Sequence, residues 1–148
     1  MLAFAIKHNL KTRQMDFTNA FCQADMPKGE KAHVEMPKGF GNGQDCVLEL
    51  RKSLHGMVKS PLHWCNTIKK SFEDLGCVPS PNDRCMFINK KTKTIVLIYT
   101  DDCLSFGCDD ASLDRLVSNL KQKHELDEQA TSRDVFACRP PSRTRYVC

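Results

Sequence analysis

Two apolar runs, residues 94 to 99 (TIVLIY) and 103 to 107 (CLSFG), are separated by only Thr100, Asp101 and Asp102. The first is rich in β-branched residues and both have strand rather than helix length. A connection this short leaves no room for a crossover, so the two runs must fold back on one another as antiparallel strands. The turn between them then holds two adjacent carboxylates at a sheet edge. An earlier run, residues 84 to 89 (RCMFIN), is joined to residues 94 to 99 by the polar segment KKTK, a second hairpin signature.

Helical spacing of Leu2, Ala3, Ala5 and Ile6, with Asn9 as a stop, predicts a helix over residues 2 to 9. Residues 12 to 17 (TRQMDF) read as a strand carrying Asp16 at its end. Pro and Gly punctuate residues 27 to 45, leaving a short extended piece from His33 to Met36, and Cys46 to Leu50 alternates as a strand. Leu62, Cys65, Ile68, Phe72 and Leu75 keep the spacing of an amphipathic helix that ends at Gly76, with Pro61 in its first turn. Leu113, Leu116, Val117 and Leu120 mark a last helix, opened by Asp109, Asp110 and Asp114 at the positive end of its dipole. From about Glu128 the pattern fails, and the tail is expected to be disordered or non-native sequence. The fold class expected is α+β, an antiparallel sheet backed by helices, with one domain over residues 1–127 and an irregular tail over 128–148.

An apolar fraction of 41% and a charged fraction of 27% argue for a chain that folds rather than a disordered or fibrous one. The net charge of +4 suits a phosphate-rich partner without requiring one. The nine cysteines, at 22, 46, 65, 77, 85, 103, 108, 138 and 148, contain no C-x-x-C pair, which removes the tight four-thiolate zinc pattern. Their odd number and the lack of a signal-like leader argue against a secreted disulfide scaffold, so they are expected to be reduced, intracellular and mostly core. The longest apolar run, Ile95 to Tyr99, is far short of the roughly 20 residues of a membrane helix. His63 and His124 are expected on solvated helix faces.

Asp16, Asp101 and Asp102 all lie at strand ends. Carboxylates gathered there repel one another unless a divalent cation neutralises them, and Mg²⁺ suits oxygen ligands shared with substrate phosphates. Two such ions stabilise both the attacking and the leaving oxygen of a phosphoryl displacement. An Asp-Asp turn is also ordinary turn chemistry, because Asp bonds its own backbone there, so the residues alone leave the function open.

Four blocks in order carry a resemblance. QMDFTNAF at 14–21 resembles QMDVKTAF, PKGF at 37–40 resembles PPGF, LRKSLHGMVKSPLHW at 50–64 resembles LKKSLYGLKQAPRAW, and IYTDDCLSFG at 98–107 resembles LYVDDMLIAG. Over residues 2 to 126 the chain resembles the copia-type retrotransposon reverse transcriptase domain. The resemblance implies a polymerase palm with part of the fingers, and RNA-directed DNA synthesis with two Mg²⁺ ions, or Mn²⁺ in their place. It implies Asp16, Asp101 and Asp102 as catalytic and metal-binding carboxylates, with Asp16 and Asp101 the direct ligands of both ions. Its partners would be primer–template and deoxynucleoside triphosphates. Nucleotide contacts would fall on the Phe17 amide, on Phe21 beneath the sugar, on Gly56, Lys59 and Ser60, and on Tyr99. Trp64 stands at the family's aromatic, with helix core as its expected role. His55, Val58, Lys59 and Leu62 replace the family's Tyr, Lys, Gln and Arg, which weakens the expected template and nucleotide contact. Thr100 replaces the commoner Val.

The resemblance also implies fingers upstream, and a thumb and ribonuclease H domain downstream. A helix starting at the first Met and an anomalous tail from Glu128 are expected of a partial copy, truncated or frameshifted, acting in the cytoplasm or nucleus. The alternative function is a non-catalytic remnant with at most weak, salt-dependent nucleic-acid binding. A zinc module is the third possibility, and it fails on cysteine spacing.

Overall fold

The computed structural model describes residues 2–37, 39 and 47–129. Its elements run α1 (Leu2–Lys7), β1 (Lys11–Phe17), α2 (Ala20–Gln23), β2 (His33–Glu35), β3 (Val47–Glu49), α3 (Ser60–Asp74), β4 (Val78–Pro79), β5 (Met86–Asn89), β6 (Thr94–Tyr99), β7 (Asp102–Gly107), α4 (Asp110–Lys123) and β8 (Leu126–Gln129). Six strands form one antiparallel sheet in the order β4-β5-β6-β7-β1-β8, and β2 pairs with β3 in a separate small sheet. The class is therefore α+β with an antiparallel sheet, as expected from the hairpins.

Register follows from side-chain alternation. Met15 pairs with Cys103 and Asp16 with Asp102. Met15 and Cys103 are fully buried, whereas Asp16 is half-buried and Asp102 exposed. One sheet face thus takes the apolar residues and the other, at this end, the acids; a slip of one residue would exchange them. The apolar face is covered by Trp64, Ile68 and Phe72 of α3 and by Leu116, Val117 and Leu120 of α4, which form one core cluster with Met15, Phe17, Phe87, Val96 and Cys103.

Local chemistry sets the ends of the elements. Asn9, φ 49°, ends α1 in the left-handed conformation, and Pro61 lies in the first turn of α3. Asp109 caps α4: its carboxylate accepts from the Ser112 amide at 2.7 Å, which also holds its pKa below the ordinary value. Arg13 of β1 reaches Asp110 at 2.8 Å and Asp114 at 3.1 Å, tying the strand to the first turns of α4.

Three elements escape the sequence patterns. Helix α2 and strand β4 are too short to show a period. Strand β8 carries a single apolar residue before its edge, yet pairs with β1 from Gln14↔Gln129 to Phe17↔Leu126 and takes the sheet past residue 127. The expectation of a disordered tail falls, from residue 130 on, outside the described residues. Of the six cysteines described, only Cys77 and Cys103 are fully buried, and Cys65, Cys85 and Cys108 are exposed, so the described cysteines are not mostly core. Among the described residues no helix is long and apolar enough to cross a membrane.

Candidate active site

Strand pairing brings the acids together. Asp16 on β1 lies directly opposite Asp102 on β7, and the amide of Phe17 donates to the Asp101 carbonyl at 2.9 Å, closing the pairing at the turn. Cross-strand partners share a sheet face with Cβ atoms about 4.5–5.5 Å apart, and like charges so placed repel. On its other side Asp16 faces Asp127 of β8. Asp127 was not singled out in the sequence, because its strand lacks an alternating pattern.

The expected compact cluster of Asp16, Asp101 and Asp102 is not formed. Among the described residues, no three Asp, Glu, His or Cys side chains stand together in a way that could hold a metal ion. Asp101 occupies the turn itself rather than a strand position, and mutual repulsion opposes closer approach. The paired Asp16 and Asp102 still offer the one or two carboxylates with which Mg²⁺ is commonly bound alongside substrate phosphates and waters. The donor set therefore fits such an ion.

The turn is strained and then gripped. Tyr99 pairs with Asp102, leaving Thr100 and Asp101 as a two-residue loop in which Thr100 has φ 57°. Positive φ at the first loop position alone is the pattern of a II′ hairpin, normally supplied by Gly. For a β-branched residue it costs on the order of 1–3 kcal/mol and persists only where surrounding structure holds it. Two bonds do so here. The Trp64 indole N–H donates to the Thr100 carbonyl at 2.6 Å, and the Phe17 amide holds Asp101. Trp64 is thus core, as expected, and also an anchor for the turn.

The nucleotide-side candidates separate. The Phe17 amide is already engaged with Asp101, so the expected triphosphate contact from it is not available in this arrangement, and the Phe17 ring is buried. Phe21, on α2, is half-buried, tilted on His55 at 5.0 Å, and lines an apolar cavity of about 220 Å³ with Trp64 and Thr100. Gly56 adopts φ +92° with open space around it. Lys59 pairs with Glu30 at 3.1 Å. Ser60 is buried and its hydroxyl donates to the Leu54 carbonyl at 2.6 Å, a bond that shapes the loop. Tyr99 is 80% exposed beside Asp102.

Both histidines expected on solvated faces are buried. His63 shares a hydrogen bond of 2.7 Å with Ser53, and its Nε2, 3.5 Å from Glu30, has no hydrogen-bond partner. His124 shares 2.7 Å with Ser71 and stands edge-on to Phe17 and Trp64. In each case a serine hydroxyl satisfies one ring nitrogen, which a helical-wheel pattern does not reveal. Burial, with a smaller effect from Lys123, lowers the His124 pKa below its ordinary 6.5. A lowered folded-state pKa means that the unfolded chain binds the extra proton more readily, so stability falls as pH drops below about 6.5. Denaturant unfolding between pH 7 and 5 should show this loss, and His124→Phe should largely remove it over that interval.

Residues 1–137 match the family described as reverse transcriptase (RNA-dependent DNA polymerase). The chain belongs to that family. Among curated proteins this reverse transcriptase chain is 30% identical over 132 residues to the retrovirus-related Pol polyprotein from transposon RE1 of Arabidopsis thaliana, a match covering 86% of the chain and 9% of the polyprotein. It is 28% identical, with the same coverage, to the corresponding polyprotein of transposon RE2. The transposon Ty1-GR3 Gag-Pol polyprotein of Saccharomyces cerevisiae is 27% identical over 125 residues, 84% of the chain and 7% of that protein. The chain therefore spans less than a tenth of the length of these relatives.

Proposed function

We propose that the chain is the palm portion, with part of the fingers, of a copia-type RNA-directed DNA polymerase, adding deoxynucleotides to a primer 3′-hydroxyl on an RNA or DNA template. The observation that carries this is the register of Asp16 opposite Asp102, closed by the Phe17–Asp101 bond, in a chain of the reverse transcriptase family. Asp16 and Asp102 would hold Mg²⁺, with Mn²⁺ as a substitute, and Asp101 stands beside them in the turn. Bound there with the triphosphate, Mg²⁺ supplies Lewis-acid stabilisation of the developing charge on the transferred phosphoryl group. The chain's own residues hold and orient. The carboxylates fix the position of positive charge at the strand ends, while Trp64 and Phe17 keep the turn from moving.

Phe21 is read as the ring beneath the deoxyribose, with exposed Gly56, Lys59 and Tyr99 as contacts to nucleotide or template. Ser60 supports the loop that presents Gly56 and Lys59. The protein works inside the cell, on nucleic acid.

Single-nucleotide addition to a DNA primer on an RNA template, with the chain in excess at low salt, tests the proposal. Asp16→Asn should lower the rate at least a hundredfold, on the order expected when a group serving the transition-state charge is removed. Addition that survives Asp16→Asn would reject it. No addition by a folded, metal-binding wild-type chain would instead favour the non-catalytic remnant, the reading to which the replacements His55, Val58, Lys59 and Leu62 point.

A further inference from the structure

His124 lies outside every motif that carries the family resemblance, yet it sits against both groups that grip the strained turn. Its ring is edge-on to Phe17 at a centroid distance of 5.8 Å and 87°, and to Trp64 at 5.5 Å and 86°. Phe17 and Trp64 meet each other at 5.1 Å and 65°, so the three rings form one mutually packed cluster. Phe17 supplies the amide that holds Asp101, and Trp64 the indole N–H that holds Thr100.

We infer that His124 is a positioning residue for the Thr100–Asp101 turn, acting through Phe17 and Trp64. Its ring, near-perpendicular to both, fixes the two aromatic rings, and through them the two donors that offset the strain at Thr100. Its Nε2 is anchored in turn by Ser71 on α3, 2.7 Å away, so the residue that ends α4 is tied to the helix carrying Trp64. A purely apolar ring would fill the space but would leave Ser71 without this bond. An aliphatic amide would make the bond but offer no ring edge.

The charged groups around it are Lys123 and Glu125, its neighbours in the chain; Asp74 of α3, which takes the Lys123 ammonium at 2.7 Å; and Lys121 and Asp127, which line the same surface hollow. Among the described residues no acid forms an ion pair with the His124 ring, so a neutral imidazole suits the place. The consequence for catalysis rests on the proposed function, since the turn carries Asp101 and Asp102. The effect on the turn does not.

Residue-resolved hydrogen exchange of the chain at pH 7 tests the inference, because the Phe17 amide is itself one of the two grips. The reference is the Cys77 amide, bonded to the Phe72 carbonyl at 2.9 Å beyond the far end of α3. His124→Ala should speed exchange at Phe17 about tenfold or more, as local opening does, and leave Cys77 within about twofold. His124→Phe, which restores the ring, should return Phe17 most of the way to wild type. Ser71→Ala, a milder change that keeps the ring but removes its anchor, should speed Phe17 alone by a smaller factor, and it serves if His124→Ala does not fold. Equal acceleration at both amides, or none at Phe17, would overturn the inference. Neither result bears on metal binding by Asp16 and Asp102, so the proposed function stands or falls separately.

Discussion

Trp64→Ala is expected to destabilise the chain by about 3–5 kcal/mol, a large part of the roughly 5–15 kcal/mol that holds a domain folded. Trp64 is 2% exposed, and its removal opens a void against Phe17, His124 and Ile68 while leaving the Thr100 carbonyl without its donor. Trp64→Phe separates the two effects. It keeps most of the packing and loses the indole N–H, so its cost should be closer to the about 0.5–1.5 kcal/mol of one lost hydrogen bond, since Thr100 is exposed. Trp64 is the sole tryptophan, so unfolding is followed by far-ultraviolet circular dichroism in urea. A loss below about 1 kcal/mol for Trp64→Ala would show that the turn does not depend on this anchor.

The second large effect concerns sugar selection by Phe21. If Phe21 lies beneath the deoxyribose as proposed, Phe21→Val should relax discrimination against ribonucleotides by on the order of a hundredfold, at tenfold per about 1.4 kcal/mol of clash removed. Phe21 is only half-buried and lines a cavity with Thr100, the residue before Asp101. If the ring served packing alone, truncation would lower stability and slow both nucleotide types alike. Single-turnover incorporation of both triphosphates, set beside a melting curve, distinguishes these outcomes. Unchanged discrimination in a folded, active Phe21→Val protein would remove Phe21 from the site.

The strands and helices that could be read in the sequence are those whose pattern is local. The Thr100–Asp102 connection forces β6 and β7 to pair, and the spacing from Leu62 to Leu75 sets the apolar face of α3. Strand β1 was legible over residues 12 to 17, and the register sets it antiparallel to β7. What could not be read depends on contacts distant in sequence. Strand β8 is made by pairing with β1 across about 110 residues, and its own sequence, LDEQ, has little strand character. His63 and His124 looked like surface residues because their ring partners lie outside their own helices, Ser53 in the loop before α3 and Ser71 on α3. The engagement of the Phe17 amide with Asp101 is likewise invisible until the strands are placed.

Within the site, residue identity indicated the acids and the family resemblance ordered them, but their spacing is set by the sheet. Register delivers Asp16 and Asp102 as a cross-strand pair and leaves Asp101 in the turn. It also adds Asp127 on the far side of Asp16. A set of acids at strand ends predicts that a cation is needed without predicting which two of them stand side by side.

The central claim is that Asp16 and the Asp101–Asp102 turn bind divalent metal, and electron paramagnetic resonance titration of the chain with Mn²⁺ tests it most directly. The expected result is binding displaced by Mg²⁺, weakened about tenfold or more, or about 1.4 kcal/mol, by Asp16→Asn and by Asp102→Asn. Mn²⁺ binding that is the same in both variants as in the wild-type chain would contradict it.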